Sequence, residues 1–177
     1  LCSRDKMKNL FYFCYTLYMK RICTLCFIER YGKILLGKKK RGFGTGRWNG
    51  FGGKLEAGEE LLPSLLREAR EEFGFELDQT RIEKVGEIYF TVLDNKDWND
   101  IDVHVYYGTC DSDPVETEEL VPGWFDRDAL PYDEMWIDDK YWLPLLLDGK
   151  KFVCRFTLTE SNVLSTSSIE EVSGFKE

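Results

Sequence analysis

GKLEAGEELLPSLLREAREEFGF, Gly53 to Phe75, is the stretch that decides how this chain is read. From Glu59 to Phe73 the spacing predicts a helix, with Leu62, Leu65, Leu66, Ala69 and Phe73 on one arc. Pro63 stands in the first turn, where its missing N–H costs little, and Gly74 supplies the stop. At about 100° per residue, Glu68, Glu71 and Glu72 fall within about a third of the circumference, beside the apolar arc rather than opposite it. Like charges three and four residues apart repel, and the C-terminal turn already carries negative dipole. An ordinary solvated face would interleave lysines there. A hard divalent cation among the carboxylates makes the arrangement favourable, because Mg²⁺ takes oxygen ligands and shares them with substrate phosphates. On this helix alone, a metal site and a solvated acidic face are both open.

Working outward, Ile22 to Glu29 and Lys33 to Gly37 are β-prone runs joined by Arg30-Tyr31-Gly32, a hairpin pattern. Lys38 to Asn49 reads as a basic, glycine-rich loop that Gly50-Phe51-Gly52-Gly53 continues. Strands are predicted at Lys84 to Leu93, Asp102 to Thr109 and Gly123 to Phe125, then a helix around Asp138 to Leu147 and a last strand at Lys151 to Thr159. The class is α+β, a mixed sheet carrying a few helices. Residues 21–160 form one domain and 161–177 a C-terminal tail. Residues 1–20 read as an atypical extension, either ill-ordered or an organelle-targeting leader, with Met19 an alternative start. The apolar run Leu10 to Tyr18 is shorter than the roughly 20 residues a bilayer span needs.

Composition narrows the function. The chain has 177 residues, 24 Lys+Arg, 32 Asp+Glu and a net charge of −8. That balance argues against a protein that coats nucleic-acid backbones, and an anionic ligand here needs a bridging cation. The six cysteines lie scattered, which suits a reducing compartment. Cys23 and Cys26 are three apart on a strand, so they point to opposite faces and make a poor redox pair. His104 is the only histidine, which removes most zinc sites and any Ser-His-Asp triad not built on it; inside an alternating strand it reads as structural.

The spacing from Gly53 through Glu59 and Arg67-Glu68-Ala69-Arg70-Glu71-Glu72-Phe73-Gly74-Phe75 resembles the box of the Nudix hydrolases, G-x5-E-x7-R-E-U-x-E-E-x-G-U, with Ala69 where a larger aliphatic residue is usual. The resemblance implies an α/β/α sandwich, a loop-helix-loop that binds Mg²⁺ or Mn²⁺, and hydrolysis of a nucleoside diphosphate linked to another moiety. Three further segments, Arg41 to Lys54, Asp102 to Val105, and Met135 to Trp142 with Pro144 to Leu147, are similar to the animal MutT homologues. These hydrolyse oxidised purine nucleoside triphosphates such as 8-oxo-dGTP and 2-hydroxy-dATP to the monophosphate and pyrophosphate, cleansing the nucleotide pool.

Carried over residue by residue, the resemblance implies that Thr24, Lys39, Asn49, Phe51, Gly52, Gly53, Lys54, Trp136, Ile137, Asp138 and Asp139 contact nucleotide. It also implies that the Gly52 carbonyl, Glu68, Glu71, Glu72 and Glu119 surround the metal. Ile137, Val92, Ile101 and Leu120 depart from the residues usual in that branch, which bears on base preference. Glu68 and Glu72, one turn apart, are expected to hold the ion, and Glu71 or Glu119 to take the proton from water. Arg67 is read as the partner that orients the glutamates. Asp138 and Asp139 either read the purine edge, one ionised and one protonated, or cap a helix. Trp136, Phe43 and Phe90 are either stacking faces for the base or core. The expected enzyme is a monomer in the cytoplasm, with mitochondrial and nuclear pools open, binding neither membrane nor nucleic acid stably. The other readings are a Nudix pyrophosphatase for ADP-ribose, a dinucleoside polyphosphate or capped RNA, and an inactive nucleotide-binding module.

Overall fold

The computed structural model describes residues 20–93, 100–159 and 164–175, so the readings of the extension before Met19 lie outside the described residues. β1 (Arg21–Arg30) and β2 (Lys33–Lys39) make the expected hairpin, turning at Tyr31 and Gly32, both with positive φ. There follow β3 (Trp48–Asn49), α1 (Leu61–Phe73), β4 (Ile82–Leu93), β5 (Ile101–Thr109), β6 (Leu120–Asp126), α2 (Asp139–Leu147), β7 (Lys151–Thr159) and β8 (Leu164–Val172). The sheet order is β3-β2-β1-β5-β4-β7-β8, with β6 paired to β2. β1 runs parallel to β5 and β4 parallel to β7, while the other pairs are antiparallel, so the sheet is mixed as expected.

Each face of the sheet carries one core. On one side Leu65, Ala69 and Phe73 of α1 pack with Cys26, Ile28, Leu35 and Phe51. On the other, Trp142, Leu143 and Leu146 of α2 pack with Phe27, Ile34, Ile88, Val105 and Phe152. The alternation Cys26, Phe27, Ile28 in β1 divides the two, as strand geometry requires. The layers are therefore α/β/α.

The placement of β2 prepares the site. β2 pairs with β1 only beside the turn, from Arg30 with Lys33 to Ile28 with Leu35, then with β3 at Gly37 and Lys38, while β6 runs along it from Lys33 to Lys39. The freed edge of β1 is taken by the glycine loop: Cys26 exchanges backbone hydrogen bonds with Phe51, and the Thr24 N–H donates to the Gly53 carbonyl at 2.9 Å. The loop before α1 is thereby stitched to the middle of the sheet.

Beyond shifts of a residue or two at the ends of other elements, four readings differ from the structure. α1 starts at Leu61 rather than Glu59, because Glu59 closes the preceding loop, its carboxylate accepting from the Glu56 N–H and from Arg67. The region read as loop holds the short strand β3, and β6 extends beyond Gly123 to Phe125 on both sides. The strand at Thr159 is not the last, since part of the segment read as a tail forms β8 and pairs along β7 from Val172 with Lys151 to Leu164 with Leu158. Its sequence, Leu-Ser-Thr-Ser-Ser-Ile-Glu-Glu-Val, is polar because this edge strand lies largely exposed. Hydrophobic alternation could not announce it.

Candidate active site

Glu72, on the last turn of α1, turns inward and is 4% exposed. Its Oε2 accepts the Gly52 N–H at 3.0 Å, and its Oε1 lies 3.7 Å from the Lys39 ammonium. Burial raises its pKa to about 7, against the Gly52 hydrogen bond and Lys39, which lower it; the charges of Glu68 and Glu119 push it further up. Glu68, one turn earlier, lies against Gly53, where any Cβ would collide with its carboxylate. Gly52 has φ 143°, and a Cβ there would meet the Thr24 carbonyl. Gly52 lets the loop pass against the β1 backbone, which no side chain would permit, and a side chain at Gly53 would have to push the Glu68 carboxylate aside.

Arg67 binds three acids at once: Glu59 through Nε and Nη2 at 3.0 Å, Glu68 through Nη1 at 2.8 Å and Glu71 through Nη1 at 2.9 Å. Hydrogen bonding to Arg67 lowers the Glu59 pKa to about 2. The guanidinium thus sits among the box glutamates. Glu68 is pushed up by burial in spite of Arg67. Glu71 is 56% exposed on the outer flank of α1. Glu119 accepts from Arg41 Nη2 at 2.7 Å, while its charge is felt at Glu72.

Among the described residues, no three His, Cys, Asp or Glu side chains form a closed metal cage. Mg²⁺ keeps several waters and needs only one or two carboxylates when substrate phosphates supply the rest. A buried carboxylate with a raised pKa, further destabilised by acidic neighbours, is a hard oxygen donor short of positive charge. The donor set fits the ion.

Glu72 and Lys39 share a cleft of about 510 Å³ with Trp136 and Asp138. Its floor is the α2 side of the sheet, built in rows by strand register: Cys23, Val103 and Ile88 lie abreast, then Arg21, Ile101 and Phe90. Asp138, at the start of α2, is 5% exposed and accepts the Trp142 indole N–H at 3.0 Å. Burial raises its pKa. Asp139 is 2% exposed and accepts the Trp136 N–H at 2.9 Å; burial first, then the charge of Asp138, pushes it well above the usual range. Two adjacent acids in so dry a place favour a shared proton over two charges. Trp136 stacks with Phe43 at 4.8 Å, and the Arg47 guanidinium lies 4.8 Å from the indole.

Most residues expected from sequence line this cleft: Thr24, Lys39, Phe43, Asn49, Gly52, Gly53, Lys54, Glu72, Phe90, Trp136 and Asp138. Val92, Ile101 and Leu120, read as departures in the base pocket, line it too. Phe90 belongs to both readings, since it also stacks on Phe156 in the core at 5.6 Å. Three expected nucleotide contacts do not line it. Phe51 is fully buried under α1, edge-on to Phe73 and Phe75, because its alternate position in the β1-paired loop turns its side chain to the α1 core. Ile137 is 42% exposed at the rim. Asp139 points back into its own turn rather than to the cleft, so of the acidic pair only Asp138 lines the cleft. The helix-cap reading also shifts: the Asp138 side chain makes no cap bond, and Asp139 holds the turn. Glu68, Glu71 and Glu119 flank the cleft without lining it.

Sequence reading missed Arg21, Cys23, Arg47, Leu158 and Thr159 as cleft residues. Their signal was weak, because strand ends and a lone arginine in a basic loop look like ordinary surface until the strands are aligned. His104 sits in β5 with Glu87 3.7 Å from its Nδ1, away from the cleft.

The family model described as NUDIX domain matches residues 19–146. The oxidized purine nucleoside triphosphate hydrolase of Mus musculus is 41% identical over 160 residues, 88% of this chain and 97% of that protein. Its namesake in Danio rerio is 37% identical over 157 residues, 88% of this chain and 98% of the other. Among solved structures, the mutator MutT protein of Bacillus halodurans superposes with a TM-score of 0.74 at 23% identity, covering 85% of this chain and 97% of its own, which speaks to the fold alone. The matched region contains the glycine loop, the glutamates of α1 and the Trp136 to Asp139 turn, so the composite box, the sandwich and the cleft lead to one conclusion: the chain belongs to the Nudix hydrolases.

Proposed function

We propose that this chain hydrolyses oxidised purine nucleoside triphosphates, 8-oxo-dGTP and 2-hydroxy-dATP among them, to the monophosphate and pyrophosphate, with Mg²⁺ as cofactor. The observation that carries the reading is one cleft lined both by a buried carboxylate beside a glycine loop and by an acid-bearing aromatic turn. Glu68, Glu72 and Glu119, with the Gly52 carbonyl, would hold the ion. Bound there, it supplies charge neutralisation for the polyphosphate and lowers the pKa of an attacking water. Lys39 brings positive charge to the same wall. Arg67 keeps Glu68 in place, and Glu119, whose charge reaches Glu72, or Glu71 takes the proton from water. Trp136 offers the base a flat apolar surface.

Asp138 supplies selectivity. An 8-oxopurine carries an N7–H where guanine has an acceptor, so a carboxylate oxygen facing that edge distinguishes the two. With a raised pKa, the same group donates when a base offers a carbonyl oxygen instead. The names of the relatives from Mus musculus and Danio rerio support this substrate class. The reading includes a monomer acting in the cytoplasm. The decisive measurement compares kcat/KM for 8-oxo-dGTP, 2-hydroxy-dATP and dGTP with Mg²⁺ and identifies both products. Preference for the oxidised bases is expected, and faster turnover of dGTP, ADP-ribose or a dinucleoside polyphosphate would overturn it.

A further inference from the structure

Trp136 needs more than its own turn to stay where a base can meet it. Within the turn, the Trp136 N–H is held by Asp139, and the Asp139 N–H returns to the Trp136 carbonyl at 3.1 Å. The carbonyl just before it, on Met135, is taken from outside: Arg47 Nη1 donates to it at 2.6 Å. The same guanidinium lies 4.8 Å from the Trp136 ring centroid and bears electrostatically on buried Asp139. Gly44 passes so close that a Cβ would stand 2.8 Å from the indole edge. One cation therefore contacts the backbone and the ring of a single turn and acts through space on its acid.

Arg47 is itself well anchored. It ends the glycine-rich loop directly before β3, its N–H bonding the Gly44 carbonyl at 3.0 Å and its carbonyl accepting from Lys39 at 3.0 Å. Lys39 is the residue whose ammonium lies beside Glu72. The loop thus joins the phosphate wall to the base wall through backbone bonds, and Arg47 is where it grips the base wall. A planar guanidinium can hydrogen-bond a carbonyl in its plane while presenting its face to a ring, which an ammonium cannot do.

We propose that Arg47 is a positioning residue for base recognition, fixing the Trp136 indole and the Met135 to Asp139 turn against the cleft. The inference rests on the proposed role of Trp136 as a base surface and deepens it. A residue of this kind acts on ground-state and transition-state binding alike, so its loss raises KM and leaves kcat nearly unchanged. It also weakens discrimination between bases, because Asp138 is carried on the same turn.

The test uses the full chain with Mg²⁺ and the substrates 8-oxo-dGTP, 2-hydroxy-dATP and dGTP. Arg47→Gln is expected to raise KM for 8-oxo-dGTP by about tenfold, the equivalent of roughly 1.4 kcal/mol, with kcat within about twofold and a smaller preference over dGTP. Arg47→Lys keeps the charge without the fork and should recover only part of the KM, and it stands in if the glutamine variant folds poorly. Trp136→Ala is measured alone and combined with Arg47→Gln; the KM effects should not multiply, because the arginine acts through the indole. An unchanged KM in Arg47→Gln, a fall in kcat matching the rise in KM, or multiplying effects in the double variant would each overturn the assignment. If Trp136→Ala leaves KM unaltered, the base-surface reading falls and takes this role with it. If Trp136→Ala raises KM and Arg47→Gln does not, only the arginine is wrongly assigned.

Discussion

Replacing Glu72 with glutamine should destroy activity and stabilise the metal-free protein, and the stabilisation should grow with pH. From the helix alone Glu72 reads as an exposed acid whose replacement hardly affects stability, but the side chain is 4% exposed and titrates at about 7 rather than 4.5. For an acid whose folded pKa lies above its unfolded one, the protonated form is favoured by folding. The cost of ionisation is absent below about 4.5, grows as pH rises, and is complete above about 7. At about 1.36 kcal/mol per pKa unit, that difference amounts to about 3 kcal/mol, with the attraction of Lys39 already counted in it. Glutamine keeps an oxygen to accept the Gly52 N–H, so that hydrogen bond survives.

The assay is thermal or urea unfolding of both proteins in EDTA from pH 4 to pH 9. Carboxylates remote from residue 72 titrate alike in both, so the difference curve reports residue 72 together with its coupling to Glu68 and Glu119. It should be near flat below pH 4.5, rise between about 4.5 and 7, and level off, with the variant ahead by roughly 6 to 12 °C in Tm at the alkaline end. Saturating Mg²⁺ should raise the wild-type Tm and leave the variant's almost unchanged. A variant less stable than wild type by the same margin at every pH, or an identical Mg²⁺ response in both, would refute the picture of a buried acid awaiting a cation.

Three further outcomes follow from the geometry. Gly53→Ala should displace the Glu68 carboxylate and lower kcat/KM by about 10²-fold, the usual cost of misplacing a catalytic group, and activity equal to wild type would show that Glu68 has room to spare. Asp138→Asn should change the ratio of 8-oxo-dGTP to 2-hydroxy-dATP turnover, whereas Asp139→Ala, which frees the Trp136 N–H, should cost about 1–2 kcal/mol of stability; equal effects of the two on the substrate ratio would contradict their separate placement. Ending the chain at Thr159 removes β8 and uncovers the β7 edge, so the shortened protein should melt earlier and associate through that edge, which scanning calorimetry and size-exclusion chromatography would detect.

How much of this was legible beforehand depended on the kind of interaction. The helix from Leu61 to Phe73 and its glutamates could be read directly, because 3.6-residue periodicity and fixed spacing are local, and the box required no tertiary information. The hairpin at Tyr31 and Gly32 and the central strands followed from alternation for the same reason. What the linear chain withheld was every relation between distant segments. That Glu72 faces inward and Glu71 outward, though adjacent, is decided by α1 packing on β1 and by the glycine loop that occupies the edge β2 vacates. That Asp138 meets the cleft while Asp139 holds a turn depends on where Trp142 stands to receive one of them. Arg47 gained its meaning only when the loop closed on Met135 and Trp136, 88 and 89 residues away along the chain. β8, polar and exposed, is held by main-chain pairing that carries no side-chain code. Sequence determined the chemistry available and the local shapes that carry it. Tertiary packing decided which acids lost their water, because desolvation is a property of neighbours brought together from remote parts of the chain.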